Sequence, residues 1–314
     1  MVSPMLRALL QRSGFAVHSL GDAGWHVARR GGHPTSTRRL RRGAWLVELG
    51  RPRRVRRIGP ARVDAHLVYD RRAARRHMRH FQKALGDVLA EEQIAWVLRK
   101  LGINCVLDVG ANKGQYARTI RRNGYTGRIV SFEPLPHLVA PLRKAAEGDP
   151  DWLVHECALG EENTAAQINV VRGSTMSSLL PPSDFGRDWS SKLREQRTEP
   201  VELRRLDSLL DEAVAGIDNP RVYLKMDTQG YDLETFRGAG DRIDEILGMQ
   251  SEVSCLPIYD DMPRWPEQLA EYEAAEFELA GMFPVSRHVR TLRVIEFDCV
   301  MVRAAAFGDD AGSA

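Results

Sequence analysis

From Ile103 onward the chain alternates short apolar runs with longer stretches whose apolar residues recur at helical spacing. Runs over 103–109, 128–133, 152–158, 222–227 and 246–253 are nearly continuous in apolar residues and bounded by turn residues. That pattern predicts strands buried on both faces. Helical patterns over 115–123 and 136–147 follow the first two runs, and each crossover is long enough for parallel pairing. The stretch 165–171 alternates and predicts an extra antiparallel strand; 201–205 predicts another, and 206–214 a helix. A helix is expected over 264–280, after Pro263. The last run, 293–302, predicts a strand in an antiparallel hairpin with one near 283–287. Upstream, Leu85, Val88, Leu89, Ile94, Val97, Leu98 and Leu101 form a stripe on a helix that would cover the cleft or one sheet face, in a helical pattern opening at about Asp64. The predicted fold is α/β, a doubly wound, mostly parallel, seven-stranded sheet with an antiparallel edge hairpin.

The chemistry should lie at the carboxyl ends of these strands, where such sheets open their cleft. The first run ends in Asp108-Val109-Gly110-Ala111-Asn112-Lys113-Gly114-Gln115-Tyr116 and passes into a helix. Gly110 and Gly114 would let a ligand approach the backbone. Glu133 ends the next strand, where a carboxylate suits the two hydroxyls of a ribose. A dinucleotide site calls for three glycines around its pyrophosphate; this loop has two, and Asp108 would repel an anion. The same charge favours a cation such as the sulfonium of S-adenosylmethionine. A tight turn with no ligand is the plain alternative. Asp227 and Glu252 end neighbouring strands and are candidates for accepting a proton, Asp227 first, with Lys225 one pleat deeper to keep it ionised. Lys225 also fits a structural ion pair with an acid. The sequence holds no complete ligand set for a divalent cation, and its part in the chemistry stays open. Trp189, Tyr259 and Trp265 are aromatic candidates for covering an acceptor, and His137, His155 and His288 are isolated.

The stretch 106–114 resembles the first motif of the FkbM family of S-adenosylmethionine-dependent methyltransferases. So do Ser131-Phe132-Glu133-Pro134, Cys157-Ala158-Leu159-Gly160, Leu206-Asp207-Ser208-Leu209 and Leu224-Lys225-Met226-Asp227-Thr228-Gln229-Gly230, in that order. The family more often has Val-Glu-Gly where this chain has Thr228-Gln229-Gly230, so no role of that acid carries over. The resemblance covers roughly residues 85–303 and implies a Rossmann-like class I methyltransferase fold. It implies S-adenosyl-L-methionine held by Asp108, Gly110, Asn112, Gly114, Tyr116, Glu133, Cys157, Ala158, Leu159 and Ser177, with Ser178 nearby. It also implies a small-molecule or glycan hydroxyl as acceptor, on a sugar, glycolipid or secondary metabolite. The rivals are a nucleic-acid methyltransferase and a nicotinamide-dependent oxidoreductase. The first is disfavoured because Asp227-Thr228-Gln229-Gly230 is no Asn/Asp-Pro-Pro-Tyr/Phe turn.

Charge changes the picture at the amino-terminal end. The formal net charge of +3 conceals a split: residues 1–80 carry 19 Arg, no Lys and four acids. Residues 1–62 read as a basic, mobile extension, 63–303 as the methyltransferase domain and 304–314 as a tail. A nucleic-acid arm would have this charge, but only six lysines in the whole chain make codon usage the simpler source. Four scattered cysteines, with no metal-type spacing, read as reduced core thiols of a cytoplasmic protein. No run is long enough for a membrane span. A homo-oligomer is left open.

Overall fold

The computed structural model describes residues 78–306, apart from positions 174 and 289, and five strand segments before them. The chain divides into two compact units, Met1–Glu92 and Gln93–Ala314. In the first, β1 (Phe15–Ser19) pairs with β2 (Trp25–Arg29), and β4 (Ala44–Leu49) lies between β3 (Ser36–Arg41) and β5 (Asp64–Tyr69), all antiparallel. A strand at Asp64–Tyr69 replaces the helical start expected there. The mobile arm and the nucleic-acid reading of its arginines concern residues that lie mostly outside the described ones.

The second unit is built on a sheet ordered β14-β15-β13-β12-β6-β7-β8. Its strands are β6 (Cys105–Val109), β7 (Arg128–Phe132), β8 (Trp152–His155), β12 (Val222–Met226), β13 (Ile246–Ser254), β14 (Phe277–Arg287) and β15 (Val294–Arg303). Pairing is parallel from β8 to β13, and β15 runs antiparallel to both neighbours. The doubly wound sheet with an antiparallel edge hairpin is therefore as expected. The chain leaves β6 toward β7 and β8 and later returns to β12 on the other side. That reversal opens a crevice above the ends of β6 and β12.

Alternation across the strands divides the core. Leu107, Val109, Val130, Phe132, Leu224 and Met226 face one buried cluster; Val106, Ile129 and Tyr223 face another. The second receives Ile94, Val97 and Leu98 from the end of α1 (Met78–Lys100), together with Ala117 and Ile120 from α2 (Gln115–Arg122); α3 (Pro136–Ala146), α4 (Asp184–Trp189) and α5 (Leu210–Val214) follow. Of the stripe expected there, Ile94, Val97, Leu98 and Leu101 cover a sheet face while Leu89 is exposed, and Gly102 follows at φ +58°.

Two expectations are corrected. The run 152–158 is not one strand: β8 stops at His155, and β9 (Ala158–Leu159) pairs with β11 (Gln196–Arg204) instead of β7. β11 in turn pairs antiparallel with β10 (Thr164–Val171). The short sheet β10-β11-β9 thus peels away from the main sheet and leaves a gap between them. The helix expected over 264–280 ends early, as α7 (Trp265–Ala274). Glu276 turns left-handed at φ +65°, and Phe277 begins a strand registered on Arg303. Pairing along β15 outweighs the local helical pattern there.

Candidate active site

The gap between the two sheets is a cavity of about 840 Å³ of non-protein space, counting its open mouth. Its floor is the loop after β6. Gly110, Asn112 and Gly114 are all left-handed, at φ +72°, +51° and +75°. The amides of Gly110 and Ala111 donate to the carbonyl of Phe132 at 3.1 and 3.0 Å, which ties the loop to the end of β7. A Cβ on Gly110 would stand 2.0 Å from the Asp227 carbonyl oxygen, and one on Gly114 would stand 2.8 Å from the Trp152 ring. Both glycines are needed for the chain's own packing.

Glu133 is buried at the rim. Its Oε2 accepts from the Asn112 amide at 2.8 Å and its Oε1 from the Leu135 amide at 3.0 Å. Burial pushes this carboxyl up to about 6, and the two amides work against that rise. The carboxylate has lone pairs to spare, because each oxygen accepts only one of these bonds. Beside it, Leu135, Leu138, Leu159, Ile168 and Leu179 give an apolar slot, with Cys157 and Ala158 along one edge. Burial pushes the Cys157 thiol up to about 12, so it stays a neutral wall group.

At the opposite rim stands Asp227, whose side chain is 42% exposed. Its Oδ1 and Glu252 Oε2 each accept from Gln229 Nε2 at 2.8 Å. Glu252 itself lies behind the wall. Burial holds its carboxyl well above the usual range, helped by the carboxylates of Glu296, Asp227, Asp298 and Asp232. Asp232 opens α6 (Asp232–Arg237) and clamps both strand ends. It accepts from the Thr228 amide at 2.7 Å, the Ser251 hydroxyl at 2.8 Å and the Glu252 amide at 2.9 Å.

Of the expected residues, Gly110, Asn112, Glu133, Cys157, Ala158, Leu159, Ser177 and Asp227 line the cavity. Asp108, Gly114, Tyr116, Lys225 and Glu252 do not stand among its walls. Asp108 is fully buried, 3.1 Å from Lys225 Nζ, and accepts from Ser131 at 3.3 Å. Its carboxylate is paired with that ammonium below the cavity, not on the cavity wall. Lys225 donates to the carbonyls of Val109 and Gly110 at 3.0 and 3.3 Å and lies 5.6 Å from the Tyr116 ring centre. Burial alone would lower its pKa; Asp108 and Asp227 outweigh that and raise it. Lys225 holds the loop from below. Tyr259 is buried, bonded to Gln229 and to the Met176 carbonyl; Trp265 packs edge-on against Phe297; His155 stacks on Phe132.

The cavity is also lined by Gln115, Thr228, Gln229 and Tyr231, to which the sequence reading gives no role, and by Thr175 beside Ser177. Gln229 carried a signal, as a polar residue beside Asp227 at a strand end, but was read only as a missing acid. Among the described residues, no three His, Cys, Asp or Glu side chains converge as a metal site, and no helix is long and apolar enough to cross a membrane.

The family model described as "Methyltransferase FkbM domain" matches residues 108–273. A protein of Beauveria bassiana named Methyltransferase 1 is 24% identical over 147 residues, 43% of this chain. The chain spans 58% of that relative's length. Among solved structures, magnesium protoporphyrin IX methyltransferase from Synechocystis PCC 6803, with bound SAM, aligns at 9% identity and TM-score 0.40, over 71% of this chain and 83% of its own. Aeropyrum pernix fibrillarin in complex with S-adenosyl-L-methionine aligns at 12% identity and TM-score 0.38, over 86% of this chain and 98% of its own.

Proposed function

The chain belongs to the FkbM methyltransferase family, and from that premise we propose that it transfers a methyl group from S-adenosylmethionine to an acceptor hydroxyl, on a sugar, glycolipid or secondary metabolite. One observation carries the cofactor. The described cavity wall holds two carboxylates, Glu133 and Asp227, and no lysine or arginine. A dinucleotide would bring a pyrophosphate into that field, whereas a sulfonium or an ammonium is attracted by it. The remaining features fit the same group. The apolar slot matches an adenine, and Ala158 and Leu159 edge it. Glu133 keeps acceptor sites for ribose hydroxyls.

When bound, the cofactor supplies a methyl group on a cationic sulfur, open to in-line attack. The chain's part is placement and proton handling. Glu133 orients the ribose and, through the Asn112 amide, fixes the loop beneath it. Lys225 keeps the Val109 and Gly110 carbonyls turned away from the cavity. Asp227 accepts the proton of the attacking hydroxyl, so that the oxygen gains the methyl as it loses its hydrogen. Calorimetry tests the reading. S-adenosylmethionine and S-adenosylhomocysteine should bind and NAD should not, and Glu133→Ala should weaken binding by about 1–3 kcal/mol. Tighter binding of NAD than of S-adenosylmethionine would refute it.

A further inference from the structure

Gln229 follows β12 at φ +58°, a left-handed conformation that a non-glycine residue keeps only when its surroundings over-determine it. Both polar atoms of its side chain are engaged. Nε2 donates to Asp227 Oδ1 and to Glu252 Oε2, each at 2.8 Å, and Oε1 accepts from the Tyr259 hydroxyl at 3.1 Å. Its main-chain carbonyl accepts from Ser178 Oγ at 2.7 Å. A primary amide has two N–H donors, one for each carboxylate.

The two acids sit in a charged neighbourhood. Asp227 faces Lys225 Nζ, 4.0 Å from its Oδ2, and Asp232 on α6; Glu252 faces Glu296 and Asp298 on β15, and Asp232. Two carboxylates held this close, with no donor between them, would share one proton.

We propose that Gln229 is a positioning residue for the proton acceptor: it anchors Asp227 by Oδ1, leaving Oδ2 for the acceptor hydroxyl, and puts an N–H donor between Asp227 and Glu252. The Tyr259 hydroxyl sets the direction of the device. By donating to Oε1, it requires Nε2 to point at the acids, so the amide cannot flip. The proposal rests on the reading of Asp227 as proton acceptor.

The test is a carbon-13 carboxyl titration by NMR on the full chain, with Asp227 and Glu252 assigned through Asp227→Asn and Glu252→Gln. Wild type, Gln229→Glu and Gln229→Met are compared, and S-adenosylmethionine calorimetry is run beside them. Gln229→Glu puts a third carboxylate where a donor stood, and Gln229→Met removes both donors without adding charge. Each should raise the Asp227 midpoint by about one pH unit or more. A merely structural glutamine would lower the melting temperature and leave the Asp227 curve in place. Midpoints within about 0.3 unit of wild type in whichever variants fold overturn the proposal. Failure of the wild type to bind S-adenosylmethionine overturns the methyl-transfer reading instead, and the titration is still decisive for the Gln229 geometry.

Discussion

Replacing Lys225 with methionine should destabilise the sheet-bearing unit by roughly 3–5 kcal/mol, the range for breaking a buried pair from one side. The estimate follows from what the ammonium touches. It lies 3.1 Å from Asp108 Oδ1 and donates to two loop carbonyls, at 3.0 and 3.3 Å. The two side chains are 6% and 0% exposed, so water cannot take over from the missing charge. Methionine keeps most of the stem's volume, which confines the loss to the polar contacts. At about 2–4 °C per kcal/mol for a domain of this size, the melting temperature should fall by roughly 6–20 °C. The assay is urea and thermal unfolding of wild type, Lys225→Met, Asp108→Asn and the double variant. Because the pair is dry, the double variant should recover part of the sum, with a coupling energy above about 1 kcal/mol. The pH dependence has a definite sign. Lys225 is held above its ordinary lysine value in the folded state. Its contribution is therefore fully present below the unfolded value of about 10.4 and is lost only as pH rises beyond it. The gap between wild type and Lys225→Met should stay constant from about pH 8 to 9, above the range where Glu133, which Lys225 holds down, titrates. A loss under about 1 kcal/mol, or strict additivity in the cycle, would refute the assignment of Lys225 to the scaffold.

Gly110→Ala should destabilise by about 3 kcal/mol or more, since a Cβ there meets the Asp227 carbonyl at 2.0 Å in a left-handed backbone; a denaturation midpoint equal to wild type would contradict this. Burial raises the Glu133 carboxyl to about 6, so if the ionised form accepts the ribose, S-adenosylmethionine affinity should fall toward tenfold per unit as pH drops below that value. Glu133→Gln should flatten the profile, and a flat wild-type profile over pH 5 to 7.5 would count against the ribose role. Glu252 is also raised, by burial and its acidic neighbours, so the folded chain holds a proton that the unfolded chain releases, and stability is lost as pH climbs from about 4.5 toward the folded value. Glu252→Gln should therefore raise the melting temperature more at pH 8 than at pH 5, and an equal difference at both would exclude that cause.

Period and punctuation made the sheet legible. Near-continuous apolar runs followed by helical spacing predict parallel strands wherever both faces are covered, and Cys105–Val109, Arg128–Phe132 and Val222–Met226 are buried almost throughout. What failed locally was decided by distant pairing. Ala158 and Leu159 look like the end of β8, yet they bond to Leu203 and Arg204. Nothing within 152–158 announces a partner some 45 residues further on. Phe277 and Leu279 fit a helix as well as a strand until β15 offers an edge. The cavity depends on the first of these departures, because its wall at 157–159 exists only where β9 leaves the main sheet.

Charge was the least legible feature, because a carboxylate's role depends on its neighbour. Asp108 precedes a glycine turn and reads as an anion aimed at a ligand, but Lys225, directly across on β12, neutralises it. In register, Ser131, Asp108, Lys225 and Gln250 form a polar row across four strands, below the cavity. Glu133 and Asp227 each stand one residue past their strands, on the cavity wall, with Asp227 Oδ2 4.0 Å from the same Lys225 ammonium. The cation preference proposed for the crevice would thus come chiefly from the ends of β7 and β12, where the wall's two carboxylates stand. Neutralising Asp108 should alter stability first and ligand charge preference little, whereas neutralising Glu133 or Asp227 should do the reverse.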